Sequence, residues 1–479
     1  MRRLIFLTVL GLSVLIGIPR ALGFSLLGLR ANVPWQTDRL GYNLNPALGG
    51  LGGPVSVGEE YRWNVPVVYY AFTPDFLNYF GQRGVEEVEK AIRFINDLPR
   101  ASQLNLDLFP LTSQRVNHRA QAVGLVDLKS EALGSLAEVI GICDPTRYVY
   151  TLRQRWIGPG GAPTNFHVIK RNFDPVTWQH SSYINGQLWT YSTILDGAAN
   201  SFAVTEPVDP LALLGLINAP VASTDGNGLL LGGGFWTGFT RDDVGGLRYI
   251  YRSDNYHTEN SPPNATGTFG GGPWGVPPGG TNAATNLNVF VDLALRPGVD
   301  KLEFRRANYD SLLGIFKPIT NSFTDTIITN GRAIKQSMER PLAIADILFD
   351  GRDIQGPDDP GAGVDFFALI LYTIQTWDNN DDVNGVVGNF GPGVIPPATG
   401  LPPAAGTPSF IITFDTTGRM FHNIWPFFLS EQNSFLHVIW GSFDGSTNEP
   451  VVYPINTSIQ DLERQVLGGG GQGNPWGLP

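Results

Sequence analysis

Apolar positions along this chain change period repeatedly, and each change marks an element. Val67-Val68-Tyr69-Tyr70-Ala71-Phe72 is an unbroken apolar run, the pattern of a strand buried on both faces. Pro66 before it has no N–H to donate, so it fits the first position of a strand or an edge. Val85, Val88, Ile92 and Ile95 then recur at intervals of three and four. That spacing predicts a helix whose first turn is loaded by Glu86, Glu87 and Glu89 and which Pro99 closes. Leu133, Leu136, Ala137 and Ile140 place a second helix over about 130–140, capped by Gly141 and followed by a turn at Asp144-Pro145. A third opens at Asp209-Pro210 and runs through Ile217. A fourth begins at Thr240, with Asp243 three residues on, and turns Val244, Leu247 and Ile250 inward. Asn185-Gly186, flanked by Tyr183, Trp189 and Tyr191, predicts a type I′ hairpin within 178–194.

From Ser261 to Thr285 the residues are mainly Pro, Gly, Asn, Thr and Ala, which reads as a linker or surface strap. Beyond it the pattern is of short strands. Phe323–Thr329 and Arg332–Gln336 flank Asn330-Gly331, and further runs lie at Phe410–Phe414 and Val438–Trp440. A short helix over Ile459–Leu467 leads into a glycine-rich tail. The expected fold class is therefore α+β, with a mixed α/β domain over 24–260, a linker over 261–285, a mainly antiparallel, sandwich-like β domain over 286–466, and a tail over 467–479.

The N-terminal residues have a different character. Arg2 and Arg3 precede an apolar run from Leu4 to Ile18, and Ala21 and Gly23 are small residues two apart, the form of a secretory signal peptide over 1–23 with cleavage before Phe24. The run is short for a membrane span and is interrupted by Pro19 and Arg20. No later apolar stretch has the length to cross a bilayer, so the mature chain is expected to be secreted or held at a cell surface by its own contacts.

Composition sharpens this picture. Charged residues make up 16% of the chain, against roughly 25% in an average domain, and there are 58 glycines and 36 prolines. The balance favours turns and short strands over long charged helices. Net charge is −11, and Lys and Arg are scattered without a basic stripe, which argues against nucleic acid as a partner. Cys143 is the single cysteine, so no internal disulfide forms, and its place beside Ile140 and Ile142 predicts burial.

Zinc-protease chemistry needs two histidines one helical turn apart, and the closest two of the six here, His167 and His180, are 13 residues apart. There is no HExxH, no Gly-x-Ser-x-Gly elbow and no phosphate loop ending in Gly-Lys-Ser/Thr. Even so, the strand and helix from Val65 to Ile95 are similar to the opening elements of exported metzincins of the matrixin type. Thr240-Arg241-Asp242-Asp243-Val244-Gly245-Gly246-Leu247-Arg248-Tyr249-Ile250-Tyr251 resembles that family's closing helix. Where the family carries its metal helix, Leu136 to Pro145 offers Glu138 and Gly141 but no histidine. The resemblance implies a metzincin-like scaffold without its zinc, over about 45 residues.

Two sets of residues remain as candidates. Asp378, Asn380 and Asp382 put oxygen ligands at alternate positions of an acidic turn, a possible calcium loop. Against that reading, Val383 stands where an EF-hand has Gly and Asn389 where it has Glu, and a solvated turn is the simpler alternative. Pro475 and Trp476 lie in a Pro-Trp-Gly-Leu-Pro ending that nearly repeats Pro-Trp-Gly-Val-Pro around Trp274. Tryptophan near a chain end behind a glycine-rich leader suits docking onto another subunit or back onto the body. The expectation is an exported, non-catalytic protein with a structural, surface-assembly or adhesion role. Its partners would be other subunits or a cell-surface component, and no cofactor is expected beyond the calcium candidate. The alternative is an exported hydrolase whose site lies in the first domain or in the cleft between domains.

Overall fold

The computed structural model describes residues 23–27, 44–45, 50–51, 56–143, 145–157, 159–160, 163–195, 201–209, 232–262, 264–268, 290–310, 315–351, 393–395, 397–398, 406, 408–414, 420–423, 428–431 and 439–467. Its centre is a six-stranded sheet in the order Glu303–Arg306, Val67–Phe72, Ile347–Asp350, Phe410–Phe414, Met420–Asn423, Phe428–Glu431. The first four strands are parallel and the last two antiparallel. Val67–Phe72 is buried at every residue between its two parallel neighbours, which is why its apolar run has no polar alternation. Pro66 stands just before the first strand residue, as its missing donor requires.

This sheet takes strands from both sides of the 261–285 segment. That segment is itself partly built in, since Thr266–Thr268 pairs with Ser337–Glu339. The class is α+β. The principal sheet is nevertheless mixed, where the sequence suggested antiparallel pairing: Phe410–Phe414 runs parallel to Ile347–Asp350, and in a separate three-stranded sheet Ile439–Ser442 runs parallel to Leu125–Asp127. A second sheet of five strands, in the order Tyr256–Glu259, Ala294–Pro297, Ile319–Thr329, Arg332–Leu342, Thr266–Thr268, is antiparallel throughout. The hairpin at its middle turns on Asn330 and Gly331, both with positive φ, as its Asn-Gly signature demands. The Asn185-Gly186 hairpin forms in the same way, joining Tyr183–Ile184 to Gln187–Leu195.

The long helix Pro74–Asp97 starts well before the sequence pattern suggested. Thr73 caps it by accepting from the Phe76 N–H, Pro74 opens it, and Asp75 is the acid of its first turn. Helical geometry breaks at Gly81, where φ is +62° and a Cβ would meet Ile455 Cδ1 at 2.7 Å, so Glu86, Glu87 and Glu89 lie in the second of two helical stretches joined at a kink. The apolar face of the helix covers the central sheet. Phe72 stacks on Phe349 with ring centroids 5.3 Å apart, Phe76 lies 4.9 Å from Phe72 and 4.7 Å from Phe80, and Phe414 meets Trp440 edge to face at 5.4 Å.

The second helix, Leu128–Val139, packs against the first and is buried on every side except at Lys129. Asp127 caps it, and Gly141, with φ +106°, donates to Glu138 O at 2.9 Å where it ends. Pro145–Tyr148 forms a short helix where a turn was expected. Arg241–Tyr251 closes this region with a capping box in which Thr240 and Asp243 bond each other reciprocally. The stretch opening at Asp209-Pro210, like residues 1–22, lies outside the described residues apart from Asp209 itself.

One buried ion pair joins these parts. Arg340, at the end of the long hairpin, grips Asp346 with two parallel bonds of 2.8 and 2.9 Å, and both side chains are fully buried. The same carboxylate accepts the backbone N–H groups of Tyr69 at 2.9 Å and Ala398 at 2.8 Å. Its backbone carbonyl accepts those of Ser409 and Phe410. Removing the guanidinium leaves a buried, uncompensated carboxylate at the meeting point of these segments. Arg340→Met should therefore cost about 3–5 kcal/mol in urea unfolding. A loss below about 1 kcal/mol would contradict this role.

Candidate functional site

A large buried ionisable cluster among the described residues is built from local β alternation. Tyr256–Glu259 pairs with Ala294–Pro297 so that His257 lies opposite Arg296 and Glu259 opposite Ala294. Tyr256 and Thr258 face outward while His257 and Glu259 are buried. Against this inner face runs the segment carrying Glu60 and Arg62, and the inner face of Ile319–Thr329 adds Asp325.

Each guanidinium is matched to acceptors. Arg62 donates from Nε to Glu259 Oε1 at 2.8 Å, and from its two terminal nitrogens to Asn255 O at 2.8 Å and Arg296 O at 3.0 Å. Arg296 clasps Asp325 through Nε and a terminal nitrogen at 2.9–3.1 Å, and its other nitrogen bonds the Glu259 carbonyl. Gln336, from the partner strand of the hairpin, donates to the same Asp325 carboxylate at 2.7 Å. Glu60 Oε1 receives His257 Nε2 at 2.7 Å and the Asn255 amide. The ring nitrogen also lies 3.1 Å from Asn255 Oδ1, so both of its neighbours are acceptors and Nε2 carries the proton.

Burial alone would push the Glu60 carboxyl up. The charge and hydrogen bond of His257, with Arg62 and Asn255 behind them, outweigh it and hold the group at about 2. Glu60 Oε2 and Glu259 Oε2 are buried without a hydrogen-bond partner among the described residues. Each is therefore a position where a small donor would be accepted. An imidazole held by a carboxylate is also the core of acid–base chemistry, but His257 is only 8% exposed and its bonded nitrogen is turned inward.

The sequence-derived candidates lie elsewhere. Asp378, Asn380, Asp382, Trp274, Pro475 and Trp476 are all outside the described residues. Glu138 sits fully buried in the Leu128–Val139 helix, and Cys143 is buried in the strand Ile142–Cys143, as its neighbours predicted. Among the described residues no group of three or more His, Cys, Asp or Glu side chains is arranged to hold a metal ion, and no helix is long and apolar enough to cross a membrane. Sequence reasoning missed the Glu60–His257–Arg62–Glu259–Arg296–Asp325 cluster. The local signal that could have found it is Tyr256-His257-Thr258-Glu259, in which alternation puts an imidazole and a carboxylate on one face. No protein-family model, curated protein or solved structure matches the chain.

Because the Glu60 pKa is lowered on folding, its contribution is fully present above the unfolded value near 4.5 and is lost as pH falls toward 2. Glu60→Gln should cost about 3 kcal/mol at neutral pH and flatten the acid limb of a stability–pH profile across that window. An unchanged acid limb would show that the pair contributes no net stability.

Proposed function

We propose that this chain is an exported, non-catalytic protein with a structural role in surface assembly or adhesion. The observation that carries this reading is the use made of its buried charges. Arg62, Arg296 and Arg340 point inward and fasten strands to strands, with their terminal nitrogens on carboxylates and carbonyls of the same chain. A body held this way resists local opening, which suits a scaffold exposed outside the cell. The Pro-Trp-Gly segments at Trp274 and at Pro475-Trp476 are the elements we assign to contact with other subunits or a cell-surface component.

Two finer readings belong to the same proposal. The buried strand Val67–Phe72 leading into Pro74–Asp97, together with the capped helix Arg241–Tyr251, supports a metzincin-like origin for the first half. The turn carrying Asp378, Asn380 and Asp382 remains the place to look for calcium. The competing reading, an exported hydrolase, draws on one observation, the Glu60–His257 pair.

Light scattering and electron microscopy of the secreted chain, beside a version ending at Leu467, test the assembly role. Defined oligomers or filaments that disappear on truncation are the expected result. A compact monomer in both cases would overturn it.

A further inference from the structure

Asp242 lies in the first turn of the Arg241–Tyr251 helix, 1% exposed, at a junction with the N-terminal strand. Its Oδ2 accepts the backbone N–H of Gly23 at 2.8 Å and that of Asn185 at 2.6 Å. Its Oδ1 is buried with no hydrogen-bond partner among the described residues. Two more carboxylates, Asp243 and Asp174, act on it electrostatically, and burial pushes its carboxyl well above the usual range. Faced by two neutral amides and two like charges, this buried carboxylate forms no ion pair among the described residues.

The geometry around Gly23 shows where a counterion would come from. Gly23 is buried, and a Cβ on it would meet Asn172 Nδ2 at 1.9 Å and Tyr183 O at 2.3 Å, so the cradle accepts glycine alone. Immediately after it, Phe24–Leu26 runs as the middle strand of three, antiparallel to Asn172–Phe173 on one side and Ile142–Cys143 on the other. The backbone nitrogen beside Asp242 thus belongs to the point where the sequence places the end of an export leader.

We infer that Asp242 is the acceptor for the amino terminus of the mature chain: removal of the leader beside Gly23 delivers an α-ammonium group into its pocket and completes a buried ion pair. A leader peptidase supplies the hydrolysis. Water adds across the peptide bond, the hydroxyl going to the carbonyl carbon and a hydrogen to the nitrogen, which takes a further proton from solvent. Cleavage before Gly23 puts the ammonium on the nitrogen that already bonds Asp242 at 2.8 Å, and cleavage before Phe24 puts it one residue further on, within about 3.6 Å of that position. An ammonium has three donors where the amide had one, enough to serve both carboxylate oxygens. The pair would fix the 23–27 strand to the closing helix only after export. This inference rests on the exported reading and assigns that export a structural consequence.

The test compares residues 24–479, and in parallel residues 23–479, each joined to a removable N-terminal fusion that keeps its first residue in peptide linkage, with the same chain after release, in wild type and in Asp242→Asn. Release should slow hydrogen exchange across 23–27 by at least about tenfold and raise Tm in wild type, and do neither in Asp242→Asn, which keeps an acceptor but no charge. With its carboxyl pushed up by burial, the fused wild type should lose stability as pH rises from about 4 toward neutrality, and the released chain should not. Equal effects of release in wild type and variant would overturn the inference. The intact mass of the secreted protein separates the two ways of failing. A retained leader counts against export itself, and a mature start beyond Phe24 counts against the Asp242 pairing alone.

Discussion

The Arg340–Asp346 pair is the constraint on which the central sheet depends. A bidentate ion pair removed from water costs several kcal/mol per charge to desolvate, and it persists only where further hydrogen bonds satisfy what remains. Asp346 meets that condition by accepting from Tyr69 and Ala398 as well as from Arg340. The pair therefore sets the positions of Val67–Phe72, of the base of the long hairpin and of the start of Ile347–Asp350 together. The Phe72–Phe349 stack and the packing of Pro74–Asp97 follow from that placement, since both need those two strands side by side in parallel register.

Elements whose burial is set by their own residues were legible in the sequence. Val67–Phe72 announces itself because both of its faces are covered. The two Asn-Gly hairpins announce themselves because only a few residues tolerate positive φ at both turn positions. The Thr240–Asp243 capping box is equally local. What was not legible depends on which distant segments meet. Glu303–Arg306 reads as Glu-Phe-Arg-Arg, with no apolar run, because it is the edge of the sheet and three of its residues retain some exposure. Nothing in that tetrapeptide shows that it will lie beside Val67–Tyr70, more than 200 residues away, and the parallel pairings of the sheet were not foreseen.

The candidate site escaped for a related reason. Glu60, Arg62, Glu259, Arg296 and Asp325 look like solvated charges when taken singly, and a low overall charge content encourages that view. Their burial follows from pairing across four strands, those of Arg62, Glu259, Arg296 and Asp325, with Glu60 just before the first, which offsets isolated desolvation penalties by mutual contacts. A chain with few charges that places several of them inside uses electrostatics for specificity of assembly within the fold. Asp242 is the exception, a buried carboxylate whose hydrogen-bond partners among the described residues are both neutral backbone amides.

Strands from both sides of 261–285 share one sheet, so they should open as one cooperative body held by these buried pairs. Native-state hydrogen exchange in increasing urea, followed at amides of Val67–Phe72, Glu303–Arg306, Ile347–Asp350 and Phe410–Phe414, tests it most directly. The four strands should converge on one opening free energy and one urea dependence. Strands 303–306 and 347–350 opening separately, while 67–72 stays protected, would contradict it.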